Sequence, residues 1–466
     1  MGNKFETRLL GELCHEITVG FVGTMTNEYI ESGIPFLRSK NIDEYDVKWD
    51  DMKYVSSGFH KKLSKSALKP GDVAIVRTGK PGTTCVIPND LREANCSDIV
   101  IARVNNELLC PHYLSYFMNA MAHGQVNAHI VGAVQQHFNV SSAKKLEIPL
   151  PSRVKQIQIV QVLKTLDDKL KLNRQINQTL EQMAQTLFKS WFVDFDPVID
   201  NALDTGFFEQ DLAFSDELLH RVEVRKTTRE QDDFKPLSED IRQLFPDAFE
   251  ECAEPALGLG GWIPKGWQVG ELGDVLLLRN ERTKPSEETI NLPYVPIECI
   301  GTKTPFLSEW KSGEEANSSL ILFKKGDILF GAMRPYFHKV CIAPFDGVTR
   351  STVFTLIAND SSSLYFSFFM AYQESTVEYA TLHSEGSTIP YAKWKSSLER
   401  KLITLPTIEL QQLFHQQVES FIEVGDFNNE QSKNLEKLRD TLLPKLISGE
   451  LSLDDIKIDT PEETLI

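Results

Sequence analysis

The chain has 466 residues and a formal net charge of −17, from 49 Lys and Arg against 66 Asp and Glu. This balance excludes a uniformly basic protein that coats nucleic acid without sequence preference. Hydrophobic residues make up 41% of the chain, which is ordinary for a globular protein, and the length corresponds to several domains.

The sequence contains no segment that predicts membrane insertion or export. No apolar run approaches the roughly 18 residues that cross a bilayer, and the first residues carry charges such as Lys4, Glu6 and Arg8 instead of an apolar signal sequence. The seven cysteines form no CxxC pair, which favours reduced thiols. We therefore expect a soluble, cytoplasmic protein.

Residues 1–150 predict a mixed α/β domain with many loops. Short runs rich in Val, Ile and Phe are broken by Gly, Pro, Asn and Asp, as expected of strands joined by turns. DVAIVR at 72–77 and DIVIARV at 98–104 are the clearest strands, and 111–122 predicts a short, aromatic-rich helix.

Residues 151–196 predict one long helix. Apolar residues recur at alternating spacings of three and four for about five heptads; the repeat includes Val160, Leu180, Met183 and Trp191 and ends at Pro197. Forty helical residues would span roughly 60 Å. Such a helix buries its apolar stripe only against a partner.

The remaining segments follow in the same order. Residues 197–256 are an acidic linker or lead-in, and the sequence leaves open whether 201–231 is ordered. Residues 257–405 predict a second mixed α/β domain, with strands in DILFGAM and STVFTLI and a helix over 362–372. Residues 406–450 predict a second long helix with a weaker repeat around 425–429, and 451–466 form an acidic tail.

The chain is a tandem repeat with an offset near 255. GDVAIVR at 71–77 matches GDILFGAMR at 326–334, CVIP at 85–88 matches CIAP at 341–344, and Pro151 matches Pro406. The matches occur in one order at a nearly constant offset, so a duplication explains them better than coincidence. The two helices then pair as an antiparallel coiled coil; the alternative is that each covers its own domain as an unrelated surface helix.

Motifs that would support catalysis are absent. The sequence has no GxGxxG, GxxxxGK[ST], GxSxG or HExxH, and Pro81 follows Gly79-Lys80 where a phosphate-binding loop needs Ser or Thr. Cys110 and His112 have no second pair at ligand spacing, so no metal site is predicted. We expect no catalytic residue in this chain.

These features resemble the specificity (S) subunit of Type I restriction-modification systems. The resemblance is carried by residues 144–198, by RKLITLPTIELQQLFHQQVESF at 400–421 with NLEKLRDTLLPKLISGEL at 434–451, and by GWIPKGW at 261–267. It implies an α/β fold (α+β) of two target-recognition domains, 1–150 and 257–405, each followed by a conserved helix.

The resemblance also implies function and partners. An S subunit selects a bipartite, asymmetric site on double-stranded DNA, one half per domain, and has no catalytic activity. Two modification (M) subunits use S-adenosylmethionine to methylate adenine, and restriction (R) subunits use ATP and Mg, so no cofactor is expected in this chain. The rival interpretations are an enzyme with a diverged nuclease or transferase site and a tandem DNA-binding regulator that acts alone.

The charge distribution fits a dependent DNA reader. Residues 196–256 carry a net −11 and 406–466 a net −8, whereas 1–150 are neutral and 257–405 carry −1. Neutral domains on an acidic frame should bind DNA poorly alone, because phosphate neutralisation dominates affinity. Most of the positive surface should then come from the M subunits.

Base reading needs Arg, Lys, Asn or Gln on loops. Each such residue taken alone is more simply a surface charge or a loop hydrogen bond, but together they occupy corresponding loops of the two domains. The predicted DNA-contacting residues are Arg38, Lys40, Asn41, Arg77, Lys80, Gln135 and Gln136 in the first domain, and Arg334, Tyr336, Lys339, Arg350 and Lys393 in the second.

An aromatic face closes the first long helix. Phe188, Trp191, Phe192 and Phe195 follow one another at helical spacing. We expect this face to pack inside the protein, to contact an M subunit, or to do both.

Overall fold

The computed structural model describes residues 5–25, 27–129, 137–386 and 388–453. It divides the chain into two compact units: Met1–Lys171 together with Lys433–Ile466, and Leu172–Ser432. The division falls inside both long helices, because each half of each helix packs within one unit.

The first unit is built on two sheets. Its strands and short helices are β1 (Thr7–Leu9), β2 (Cys14–Val19), β3 (Tyr29–Ile30), β4 (Ile34–Leu37), β5 (Lys53–Val55), α1 (Ser57–Lys62), β6 (Ala67–Leu68), β7 (Val73–Val76), β8 (Thr84–Val86), β9 (Ala94–Cys96), β10 (Ile99–Val104), α2 (Pro111–Met121), α3 (His123–Ala128), α4 (Val140–Lys144) and β11 (Glu147–Pro149). An antiparallel sheet has the order β2-β10-β7-β8, a second sheet has the order β3-β5-β4-β9-β6, and β1 pairs with β11.

The long helix α5 (Arg153–Phe192) leads from the first unit into the second. The elements that follow are α6 (Asp196–Asp204), α7 (Asp216–Arg229), α8 (Glu239–Arg242), β12 (Phe249–Glu251), β13 (Trp262–Pro264), β14 (Gln268–Glu271), β15 (Leu276–Arg279), β16 (Arg282–Thr283), β17 (Leu320–Phe323), β18 (Ile328–Gly331), β19 (Val340–Ile342), β20 (Gly347–Thr349), β21 (Val353–Ala358), α9 (Leu364–Tyr372), α10 (Glu374–Leu382), β22 (Leu402–Leu405) and α11 (Ile408–Ser448). Sheets of order β15-β21-β18-β19 and β16-β17-β20 form the centre, while β12 pairs with β13 and β14 with β22.

The two units share one internal topology, which confirms the predicted duplication. The order β2-β10-β7-β8 matches β15-β21-β18-β19 strand for strand, and β7 begins 255 residues before β18. Gln156 and Gln411, also 255 apart, each donate from Nε2 to a proline carbonyl at 3.0 Å, Pro151 in one case and Pro406 in the other.

The predicted strands are apolar throughout because both faces of their sheet are covered. Val73 and Ile75 of β7 belong to the core under α2, whereas Ala74 and Val76 belong to the core on the opposite face. All four side chains are buried.

The two long helices pair antiparallel within each unit. In the first unit, residues near the start of α5 share a core with residues near the end of α11: Ile159, Val160 and Leu163 with Leu443, Leu446 and Ile447. In the second unit, Phe188 near the end of α5 packs against Phe414 near the start of α11, with ring centroids 5.5 Å apart.

The middle of the predicted apolar stripe is wrong. Met183 is 47% exposed and Leu180 is half-buried, whereas Asn173, Asn177 and Ala184 are buried. A search for apolar residues alone missed the two asparagines. Their amides are hydrogen-bonded across the helix pair, which offsets the cost of burying them.

The aromatic face of α5 packs inside the second unit. Phe188, Trp191, Phe192 and Phe195 are 1–3% exposed, and Phe192 contacts Phe366 with ring centroids 5.1 Å apart. Helix α5 ends at Phe192, before the predicted stop, and Pro197 lies in the first turn of α6. The internal-packing alternative is therefore the one the structure supports.

The acidic segment after α5 contains helices α6, α7 and α8, and α7 lies within the stretch whose order the sequence left open. Helix α7 runs beside α6 and pairs with it through Arg221–Asp196, Arg225–Asp200 and Arg229–Asp204, at N–O distances of 2.5, 2.6 and 2.6 Å. The partners recur every four residues on both helices, so one face of each helix meets the other. Among the described residues, no helix is long and apolar enough to cross a membrane.

Candidate DNA interface

Two loops of the first unit that carry predicted DNA-contacting residues meet at Asp98. This residue lies in the turn between β9 and β10, with a left-handed φ of +55°. Its carboxylate pairs with Arg77 at 3.5 Å and accepts a hydrogen bond from the Thr78 hydroxyl. Its carbonyl accepts a hydrogen bond from the Ser39 hydroxyl at 2.8 Å. The loop after β4 and the loop after β7 are thereby held side by side.

Asp51 forms ion pairs with two cations of the loop after β4 and with one on β5. Its carboxylate pairs with Lys40, with Lys53 at 2.9 Å and with Arg38 at 3.4 Å. Hydrogen bonds from Lys40 and Lys53 hold the pKa of Asp51 well below its usual range. The carboxylate therefore stays ionised and competes with any phosphate that approaches these side chains.

Asn41 is placed differently from the other predicted contacts. It is fully buried, and its side-chain amide donates to the carbonyls of Lys48 and Asp50 at 3.1 and 3.2 Å. Its Oδ1 accepts from the Arg38 backbone N–H at 3.1 Å. In this structure Asn41 fixes the loop that presents Arg38 and Lys40, and it offers no group to a base edge.

The rest of the first-unit set is only partly described. Lys80 is exposed, beside Gly79 with its φ of +85°. Gln135 and Gln136 lie outside the described residues. Just after them, the Phe138 N–H donates to the Arg77 carbonyl at 3.1 Å.

In the second unit the corresponding loops also come together. The Arg334 N–H donates to the Pro390 carbonyl at 2.8 Å, and Met333 forms a β-bridge with Tyr391. The Tyr391 hydroxyl in turn donates to the Ser351 carbonyl. The loop after β18, the turn before β21 and the loop after α10 therefore form one surface.

The predicted cations of the second unit are distributed over and beside this surface. The Arg350 guanidinium lies 5.7 Å from the centroid of the Tyr294 ring. Lys393 is exposed and pairs with Glu385 at 2.6 Å. Half-buried Lys339 donates instead to the carbonyl of Ile300, the residue that follows the short 3-10 helix Ile297–Cys299.

An exposed aromatic pair stands on the loop after β18. Tyr336 and Phe337 are 50% and 44% exposed, with ring centroids 4.8 Å apart. Arg334 and His338, on either side of the pair, both have left-handed φ values, +52° and +49°. Sequence reasoning selected Tyr336 and missed Phe337, because an apolar ring next to a strand is more often part of the core.

The two units present different chemistry at equivalent loops. The loop after β4 in the first unit contains Arg38 and Lys40, whereas the matching turn of the second unit, 258 residues on, has Pro296 and Glu298. Within the described residues, no three His, Cys, Asp or Glu side chains converge as metal ligands would.

Comparison with known proteins identifies the family. The profile described as "Type I restriction modification DNA specificity domain" matches residues 3–182 and again residues 264–437, well over half of the chain. The chain belongs to this family. It carries two such domains in tandem, and as a specificity subunit it is a DNA-recognition component without catalytic activity, as predicted.

Relatives of similar length support this assignment. The chain is 26% identical to the "Type I restriction enzyme HindI specificity subunit" of Haemophilus influenzae over 83% of this chain and 88% of that protein. It is also 26% identical to the MjaIX specificity subunit of Methanocaldococcus jannaschii, over 93% and 90%. In fold it is similar to the S subunit of a Type I restriction-modification system from M. genitalium, with a TM-score of 0.55, 13% identity and coverage of 95% and 96%.

Proposed function

We propose that this specificity subunit recognises a bipartite, asymmetric site on double-stranded DNA, with each recognition domain reading one half. The proposal rests on one observation: the two domains share a topology but carry different residues on equivalent loops. Equivalent loops offer Arg38 and Lys40 in the first domain but Pro296 and Glu298 in the second. Because guanine and adenine edges are read by different side chains, two such loops would select different bases.

The proposed complex contains two M subunits and, through them, R subunits. S-adenosylmethionine would be bound by the M subunits, and ATP and Mg by the R subunits. The acidity of the chain supports this dependence. Arg38, Lys40, Arg77 and Lys393 are already paired with Asp51, Asp98 or Glu385, which weakens the attraction of these loops for phosphate.

The decisive experiment is single-molecule methylome sequencing of cells that carry this chain with its cognate M subunit. The expected result is a bipartite methyladenine motif that disappears when the gene for this chain is deleted. An unchanged methylome would overturn the proposal. Cells with the M subunit alone serve as the control for methylation that does not depend on this chain.

A domain exchange tests the modular part of the proposal. Residues 1–150 are replaced by the corresponding block of another family member, with the long helices kept. One half of the methylated motif should change while the other half stays constant. If both halves change, the division of labour between the domains is wrong.

A further inference from the structure

The second unit contains an open cavity of about 790 Å³ beside α5. Helix α5 forms one wall with Glu181, Gln185 and Phe188, and α9 forms another with Phe369 and Tyr372. The volume is in the range of sites that hold a small ligand or several residues of a peptide. None of the predicted DNA-contacting residues lines the cavity, although His338, which does, precedes Lys339 in the chain.

Glu181 is the one carboxylate on this wall that no cation neutralises among the described residues. Its Oε1 accepts hydrogen bonds from neutral donors only, the Gln185 amide at 2.9 Å and the Tyr372 hydroxyl at 3.4 Å. The other charged residues of the lining are paired: Lys303 with Glu374 at 3.2 Å, and Lys189 with Asp194. Burial raises the pKa of the Glu181 carboxyl, so a cation bound beside it would stabilise its ionised form.

His338 provides a second acceptor. The residue is 6% exposed, and its Nε2 is buried without a hydrogen-bond partner. Burial lowers the pKa of the imidazole, which favours the neutral ring. The other ring nitrogen donates a hydrogen bond to the Tyr372 backbone carbonyl, so Nε2 is the nitrogen that can accept one. A buried acceptor without a donor costs free energy until a ligand supplies one.

The first unit holds an arginine of the chain itself in a cluster of similar chemistry. Arg439 of α11 donates to Asp167 at 3.0 Å and lies 5.2 Å from the centroid of the Tyr45 ring. The ring of Tyr116 completes the cluster, with its centroid 4.9 Å from that of Tyr45 at an interplanar angle of 35°. In the first unit, an arginine of the chain itself thus lies between aromatic rings and a carboxylate.

The second unit lacks that arginine. The position 255 residues before Arg439 is Ala184, between Glu181 and Gln185 on α5. The position 258 residues after Tyr45 is Lys303, which repeats its left-handed backbone, φ +53° against +69°, without its ring. The Asp167 carboxylate is also replaced, because the residue 255 positions after it is Ile422. In the second unit Glu181 and Tyr372 therefore supply a carboxylate and a ring from other positions, without an arginine of the chain between them.

We propose that this cavity receives an arginine side chain from a partner polypeptide. Its guanidinium pairs with Glu181, its remaining N–H groups reach His338 Nε2, and its planar face lies on the aromatic wall of Tyr372 and Phe369. Arginine suits the site better than lysine, because a planar fork serves two acceptors and stacks on a ring. The inference does not depend on how the chain reads DNA.

The test measures the binding of a probe, N-acetyl-L-arginine amide, to the full-length chain by saturation-transfer NMR. We expect a dissociation constant on the order of 1 mM, with at least a tenfold weaker interaction for N-acetyl-L-citrulline amide, which has the same shape without the charge. N-acetyl-L-lysine amide should also bind more weakly. Equal binding of the citrulline or lysine compound, or no binding of the arginine compound at tens of millimolar, overturns the proposal.

Three variants locate the binding. Glu181→Gln keeps the hydrogen bonds but removes the charge and should abolish binding. Gln185→Arg supplies a tethered guanidinium next to Glu181 and should block the probe, even if Glu181→Gln were poorly folded. Glu436→Gln, at the position that matches Glu181 in the first unit, should bind the probe like the unaltered chain. Undiminished binding by both cavity variants would show that the arginine site lies elsewhere.

Discussion

Asn177 on α5 and Asn428 on α11 are joined by a hydrogen bond from Asn428 Nδ2 to Asn177 Oδ1 of 2.9 Å. Both residues are buried in the helix pair. The bond has a counterpart 255 residues away at both ends, because Asn173 Nδ2 donates to Ser432 Oγ at 3.2 Å. The duplicated chain has thus placed matching polar residues on both helices. Their hydrogen bonds fix the register in which α5 and α11 pair, which apolar contacts alone would specify less strictly.

A double-mutant cycle on this bond should reveal coupling. Asn428→Ala and Asn177→Ala each leave a buried amide group without its partner and should cost about 1–3 kcal/mol of unfolding free energy. The double variant should cost less than the sum, with a coupling of about 1 kcal/mol. Urea unfolding followed by circular dichroism measures this, with exposed Asn434→Ala as the control for helix propensity. Strict additivity would contradict the coupling.

The arginine–aspartate ladder should make the acidic segment after α5 a stabilising element. The side chains of Arg225 and Asp200 are only 16% and 10% exposed. Arg225→Ala therefore leaves a buried, poorly compensated carboxylate and should cost about 3 kcal/mol. Thermal unfolding monitors the loss. Lys226→Ala, next to it on α7 and paired with exposed Glu223, should change stability by less than about 0.5 kcal/mol. Equal effects would argue against a buried ladder.

Asp426 on α11 should make stability depend on pH. Burial raises the pKa of its carboxyl to about 6 from an ordinary value of 3.8. Below pH 3.8 the carboxyl is protonated in both states and has no effect; as pH rises to about 6 the unfolded state loses its proton first, so the folded state is increasingly penalised. Asp426→Asn should therefore stabilise the protein above pH 6.

The expected gain is about 2 kcal/mol at pH 8 and shrinks towards zero near pH 4. Urea midpoints measured across this range test it. Glu430→Gln, an exposed position on the same helix, should show no such dependence. A constant difference between Asp426→Asn and the unaltered chain at every pH would contradict the assignment.

Arg77 and Asn41 should separate DNA contact from loop support. In the assembled S–M complex, Arg77→Ala should weaken binding to the methylated motif by about 1–3 kcal/mol, measured by fluorescence anisotropy, with thermal stability almost unchanged. Asn41→Ala leaves the Lys48 and Asp50 carbonyls without a donor. It should lower the stability of the first unit by about 1–3 kcal/mol without changing which bases are preferred. If Asn41→Ala alters base preference in a fully folded chain, the amide reads DNA after all.

The sequence alone determined the architecture, because that information is periodic and local. The 255-residue offset, the apolar strands such as Val73–Val76 and the long heptad helices follow from spacing and burial preference. It also selected the loops that the structure brings together, since loops between matched strands of a duplicated domain occupy equivalent places. Which residue in a loop faces outward did not follow: Asn41 and Lys40 are adjacent, but only Lys40 is exposed.

The tertiary structure decided what depends on partners distant in sequence. Gly425 marked a weak point in the predicted second helix, yet the helix continues through it. A Cβ there would lie 2.1 Å from the Phe306 ring, so glycine serves the close approach of that ring. Asn173 and Asn177 form the seam because their donors find acceptors on α11. Glu181 borders a cavity and, among the described residues, pairs with no cation there. Hydrophobic spacing encodes which elements form, whereas hydrogen-bond partners and empty volume exist only once remote segments have met.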